Sequence, residues 1–235
     1  MRARRGTRWA AGLAAVLVVV LALVVVDRVA AQRVRDAVGE AFTGYVEDPV
    51  GEPRVEVRGF PLLTQLASGR VDDVGIALDG ATFGGIAMTD VTVDAGGVST
   101  GSPHEMRTLD VLGTVPTASL EDAVAERTEL EVQVVVDGDA LTLSGDALGL
   151  PLTAALTPRV EDGRLLVDLG SVSVGGVPLD SALLARAGVD DLSGMEVPIR
   201  GLPEGLVLTS AVVHPDGIRI TASGTDVTVT PPPTP

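Results

Sequence analysis

Gly59-Phe60-Pro61-Leu62-Leu63-Thr64-Gln65 is an apolar heptad in a chain with only five aromatic residues. It follows the alternating run Val55-Glu56-Val57-Arg58 and precedes Gly69-Arg70-Val71-Asp72-Asp73-Val74. Alternation of apolar and polar residues marks a half-buried strand. The heptad therefore links two strands, and Leu62 to Ser68 is predicted as a short helix between them. A Gly-Phe-Pro-aliphatic segment offers no acid, base or nucleophile. Its chemistry is burial. Either it fills the protein's own core or it meets an apolar ligand.

Period-two patterning continues outward from the heptad. Val74, Ile76 and Leu78 alternate, and Asp79-Gly80 ends that run. Ile86 and Met88 give way to Val91 and Val93, a step of three that predicts a bulge or a kink. Leu130, Val132, Val134 and Val136 lie opposite Glu129, Glu131 and Gln133, and Asp137-Gly138-Asp139 is a hairpin turn into Leu141 and Leu143. Leu150 to Leu156 is a further strand, and Glu161-Asp162-Gly163 turns the chain into Leu165 to Val174. Leu206 to Val213 and Ile218 to Ala222 flank Pro215-Asp216-Gly217, with Val227 and Val229 closing the pattern. Two more short helices are expected, one at Ser119 to Val124 with Ser119 as N-cap, the other at Asp180 to Arg186. The count is about ten strands and three or four short helices, with a boundary near residue 127 between two halves of one sheet. One face of several strands is Val and Leu, the other Glu, Asp, Thr and Arg. Such an antiparallel sheet is half-buried, and its apolar face packs on a second sheet, on helices or on a lipid.

The N-terminus has a different character. Trp9 to Val26 is 18 residues without a charge, preceded by Arg2, Arg4, Arg5 and Arg8. That length lies between a secretory apolar core and a membrane span. A signal anchor is the first reading; a cleaved signal peptide, with small residues at Val29-Ala30-Ala31, is the second. Either export reading places the body outside the cytoplasm, on a single-pass tether or secreted into the envelope; a buried soluble helix is the remaining reading of this run. Residues 29–42 have helical spacing through Ala30, Val34, Ala37, Val38 and Ala41. This helix packs on the body or lies on the membrane. The organisation expected is a basic segment over 1–8, the anchor over 9–26, a juxtamembrane helix over 27–43, a β-rich domain over 44–230 and a proline-rich tail over 231–235.

All 17 basic residues are arginine, against 32 acidic ones. Without the four arginines before the anchor, 13 face 32, a net charge of −19. Nucleic acid demands the opposite sign. Anionic lipid surfaces repel such a body too, so work at a membrane requires a tether. The absence of cysteine excludes disulfides, thiolate metal sites and a cysteine nucleophile. His104 and His214 both adjoin prolines in turn-like contexts and lack clustered carboxylates, so no metal site is expected. Ser171 and Ser173 fall in a strand without the glycines of a nucleophile elbow. Asp72/Asp73 and Asp190/Asp191 are neighbours, and neighbours in a strand point to opposite faces. No catalytic residue and no cofactor are expected.

Two segments carry a family resemblance. Gly59 to Gln65 followed by Gly69, and Leu202-Pro203-Glu204-Gly205-Leu206-Val207-Leu208-Thr209-Ser210 followed by Pro215-Asp216-Gly217, stand in this order about 140 residues apart. Together they resemble the start and end of the LmeA-like family of actinobacterial phospholipid-binding proteins, over roughly residues 30–230. Leu62 departs from the second aromatic expected there. The resemblance implies a tubular lipid-binding-like fold. The fold class expected is thus mostly β (α+β), with a curved antiparallel sheet or elongated barrel-like body, a few short helices and an apolar interior. It also implies phospholipid as partner. Phe60, Pro61, Leu62, Leu63 and Leu66 are the candidate lipid contacts, with core packing as their other reading. Arg54, Arg58 and Arg70 flank the segment as candidate headgroup contacts, or as solvated strand-edge charges. The alternative function is a membrane-anchored envelope scaffold that binds a protein partner.

Overall fold

A computed structural model describes residues 4–44, 46–83, 85–128, 131–147, 149–179, 194–197, 199 and 202–229, with side chains from Leu21 onward except at 126–128, 147 and 195. The helix predicted at 180–186, the Asp190/Asp191 pair and the 231–235 tail lie outside these residues.

The chain opens with one long helix, α1 (Arg4–Thr43). Strands β1 (Glu47–Val50) and β2 (Arg54–Arg58) follow, then the short helix α2 (Leu62–Ala67). Three long strands come next, β3 (Arg70–Phe83), β4 (Ile86–Ser99) and β5 (His104–Pro116). After helix α3 (Thr117–Thr128) the chain forms β6 (Val132–Asp137), β7 (Ala140–Ala147), β8 (Leu150–Glu161), β9 (Arg164–Val174) and β10 (Val177–Leu179). Strand β11 (Met195–Val197) precedes the final hairpin, β12 (Glu204–His214) and β13 (Gly217–Val229).

These strands make two antiparallel sheets. The first has the order β1-β3-β4-β5-β13-β12, with β2 also on β3; the second runs β10-β9-β8-β7-β6, with β11 also on β9. Neither sheet closes on itself, so the barrel-like body expected from the sequence is replaced by two open sheets. Helices attend the outer strands instead. Helix α1 lies against β2, and α3 lies against β6. Glu121 Oε1 of α3 accepts a hydrogen bond from Val134 N of β6 at 2.7 Å. Covering an outer strand removes its free polar groups from further pairing.

The boundary near residue 127 corresponds to α3, which divides two sheets rather than halves of one. Residues 204–229 then return to the first sheet, where β13 pairs along β5 from Gly217↔Pro116 to Val229↔His104. Strand β12 also packs on β8 and β9, so the last hairpin holds the sheets together. Leu206, Leu208, Ile218 and Val227 from this hairpin share a core with Ala95 and Leu109 of the first sheet and Val134, Leu141 and Leu165 of the second.

Local details follow the patterning except where packing overrides it. The step of three at 88–91 is a bulge: the β4/β5 register shifts between Thr89 and Thr92, with Asp90 at φ 51°. Asp162-Gly163 forms the β8/β9 turn with both residues left-handed. Asp79-Gly80 does not end the run; both residues lie inside β3. A Cβ on Gly80 would come within 2.9 Å of Met88 O and 3.5 Å of Val50 Cβ. Close approach of two flanking strands explains this glycine. Ser119 lies inside α3, which begins at Thr117, and is not its N-cap.

Helix α1 runs lengthwise along the first sheet. Ala31 packs with Leu62, Val71 and Val74, while Phe42 packs with Val46, Leu78 and Ala81 at the other end of β3. A Cβ on Gly39 would lie 3.5 Å from Pro53 Cγ and 3.6 Å from Val55 Cγ2, so the helix passes close to β2 here. The C-terminal half of α1 is therefore a helix packed on the body. Its inward stripe is Asp27, Ala31, Val34, Val38 and Phe42; Ala37 and Ala41, expected on the stripe, are exposed. Among the described residues no helix is long and apolar enough to cross a membrane, and the side chains of residues 1–20 lie outside that set.

Candidate functional site

The heptad forms the connection from β2 to β3 at one end of the first sheet. Gly59 leaves β2 at φ 96°, and a Cβ there would collide with Gln65 Nε2. Only glycine meets both requirements. The Phe60–Pro61 peptide is cis. Helix α2 then begins with Pro61 in the N-cap position, which has no side-chain acceptor. Asp27 of α1 supplies one: its Oδ1 accepts the Leu63 amide at 2.9 Å, with Asp27 only 5% exposed. A carboxylate on an unsatisfied first-turn N–H does the work of a capping side chain. The helix ends with Ser68 N on the Thr64 and Gln65 carbonyls, and with Gly69 at φ 75° donating to Leu66 O.

Helical spacing divides the five apolar candidates. Leu62 is 1% exposed among Ala31, Val71 and Val74, and Leu66 packs half-buried beside it. Gln65, on the same face, accepts the Asp72 amide at 2.8 Å. Phe60 is 66% exposed, Leu63 is 37% exposed and Pro61 is exposed as well. The structure therefore brings Leu62 and Leu66 into the core and leaves Phe60, Pro61 and Leu63 as an apolar tip.

The arginines do not converge on that tip. Arg54 and Arg58 sit on the face of β2 opposite Val55 and Val57, which pack toward α1. Arg54 pairs with Asp79 at 2.6 Å. Arg58 bonds Glu56 at 3.2 Å, Asp73 at 2.9 Å and Asp94 at 3.2 Å. The hydrogen bond that Arg58 donates to Glu56, and then the charge of Asp73, raise the Arg58 pKa above its ordinary value. Arg70 donates to Gly97 O at 2.9 Å and lies 3.5 Å from Glu105. It lines a cleft of about 280 Å³ with Glu105, Met106, Arg107, Asp226 and Thr228. Both signs of charge line this cleft, so it is not a focused anion site.

Nor do the other polar candidates assemble a reaction centre. His104 starts β5, with Nδ1 3.3 Å from Ser99 O, and His214 ends β12, with Nδ1 3.7 Å from Asp216. Asp73 pairs with Arg58 on a strand where Asp72 points the other way. Ser171 and Ser173 lie within β9, and Ser173 Oγ bonds Thr153 Oγ1 at 2.5 Å. Arg159 binds Asp168 at 2.8 Å and also pairs with Glu161. Arg159, and then the Gly194 amide at 2.7 Å, hold the Asp168 carboxyl below its ordinary pKa. That contact fastens residue 194 to β9. Among the described residues no group of three or more His, Asp or Glu is placed to hold a metal ion.

Sequence reasoning missed the lining between the sheets. Val93, Val111, Val132, Val136, Leu143 and Val213 are half-buried there, and half-buried apolar residues outnumber fully buried ones around this core. Alternation marked all of these except Val111, whose strand β5 was not predicted, but patterning does not measure how completely a face is covered. Asp27 was also missed; its only signal is that it is the first charge after the apolar run.

No curated protein matches the chain, and no solved structure does. A family model described as LmeA-like phospholipid-binding matches residues 25–223, from within α1 through both sheets into β13. On that match, over most of its length, the chain belongs to the LmeA-like phospholipid-binding family.

Proposed function

We propose that this protein is a membrane-tethered, non-catalytic phospholipid-binding protein of the cell envelope. Residues 9–26 tether it in a single pass, with both sheets on the extracytoplasmic side. Acyl chains complete the cover of the half-buried face between the sheets, in the service of lipid transfer or envelope glycolipid assembly. Family membership supports the ligand class. The observation that carries the mechanism is the incomplete burial of the Val and Leu residues lining the main core. Each methylene moved from water to such a face gains about 0.8 kcal/mol, so a long acyl chain gains on the order of 10 kcal/mol before ordering costs. Solvent exclusion of this kind holds chains firmly and discriminates headgroups little.

Leu143 tests this directly. It is half-buried on β7, opposite Val134 of β6. Leu143→Glu places a charge where an acyl chain would lie, and an unpaired buried carboxylate is strongly unfavourable. The full-length variant should retain its β-sheet circular dichroism and lose most of its co-purified phospholipid by phosphorus assay. Full retention of phospholipid by the folded variant contradicts this placement.

A further inference from the structure

We infer that the exposed tip Phe60-Pro61-Leu63 is a bilayer-docking wedge, held at the membrane surface by the Asp27–Leu63 hydrogen bond. This rests on the tether proposed above and adds a second, separate contact with lipid. Three observations meet here.

The first is the exposed part of α1. Leu21, Leu23, Val25, Val26 and Val29 are each more than half exposed. At 100° per residue they cover an arc of about 200°, and residues 21–26 are apolar at every position. A helix apolar all round belongs in an apolar medium. Residues 21–26 also continue the uncharged run that starts at Trp9, and that run ends at Asp27. Asp27 is thus the first polar group below the bilayer.

The second is the position of the tip along the helix. The body meets α1 near Gly39, beside Pro53 and Val55, and again at Ala31, beside Leu62. The Asp27–Leu63 bond, at 2.9 Å, is the contact nearest the helix N-terminus among those described. From Gly39 to Asp27 the helix rises about 18 Å. The β2–α2 connection is therefore the end of the first sheet that points at the membrane.

The third is the composition of the tip. Phe60 and Leu63 are large apolar residues left exposed within a body of net charge −19. That charge repels an anionic surface, whereas an aromatic and a leucine partition into the interface. Arg28, exposed beside Asp27, stands at phosphate level. Leu62 and Leu66 anchor the other face of α2 in the core, so the wedge is rigidly backed. Its consequence is orientation: a body hung from one helix can swing, and a second contact at the helix exit fixes its long strands relative to the bilayer.

The chain has no native cysteine, so a single introduced cysteine reports one position. Phe60→Cys and Leu63→Cys report the tip. Ala87→Cys, exposed near the β3/β4 turn, is the control at the other end of the sheet, about 40 Å away at strand rise. Each full-length variant carries an NBD fluorophore and is reconstituted into phosphatidylcholine vesicles containing lipid brominated near the glycerol end of the acyl chain. Docking predicts blue-shifted, quenched emission at residues 60 and 63 and solvent-like, unquenched emission at 87. Equal emission at all three positions, quenched or not, overturns it. Phospholipid retained by the same variants after detergent purification is measured separately. An unquenched tip on a lipid-loaded protein defeats docking alone; a quenched tip on a lipid-free protein defeats the phospholipid-binding proposal alone.

Discussion

Leu62→Ala is expected to lower the free energy of unfolding by about 3 kcal/mol, while Leu63→Ala changes it by less than about 0.5 kcal/mol. The two residues are neighbours of identical chemistry. Leu62 is 1% exposed, enclosed by Ala31, Val71 and Val74, and its truncation leaves a cavity where α1, α2 and β3 meet. Leu63 is 37% exposed and contributes its amide, not its side chain, to the Asp27 contact. Removal of its side chain leaves that bond in place. Denaturant unfolding of the full chain, followed by far-UV circular dichroism, measures both. Equal losses would mean that Leu63 is core and that the exposed tip does not exist.

Gly217→Val should be at least as damaging, by about 3 kcal/mol or more, because strain and a backbone collision act together. Gly217 opens β13 at φ 144°, opposite Pro116 of β5. A Cβ there would run into Val115 O and sit 2.9 Å from Pro116 Cα. The obstacle is backbone and cannot rotate away. Val115 is itself only 4% exposed, so β5 has no room to retreat. The variant should unpair the start of β13, where Ile218 and Ile220 line the core shared by the two sheets. Hydrogen exchange should accelerate at the Ile218 and Ile220 amides before it does so in β3 or β4. Unchanged exchange in β13 would contradict the register assigned to this hairpin.

These two sites show what patterning carries and where it stops. Pro215-Asp216-Gly217 reads correctly as a hairpin turn because its chemistry is local. That Gly217 lies beneath β5, about a hundred residues earlier in the chain, is a non-local fact that no turn rule contains. The same limit explains Asp79-Gly80, where the alternation stops but the strand runs on, crowded between β1 and β4. Most of the alternating strands, the irregularity at Asp90 and the Asp162-Gly163 turn were legible from residue type, whereas β1, β5, β10 and β11 were not read as strands. The division into two open sheets was not, since alternation gives a strand its faces but not its partners. For the candidate site, the apolar heptad was legible as a burial segment. Its division into Leu62 and Leu66 inside and Phe60 and Leu63 outside depends on α1 covering one face of α2, and Asp27 is the residue that sets that geometry.

Native mass spectrometry of the full chain, released from detergent with its lipids extracted in parallel, tests the central claim most directly. A phospholipid bound in a fixed ratio, and replaced by an added phospholipid of different mass, is the expected result. A chain that carries no phospholipid and takes up none when it is supplied would contradict the account.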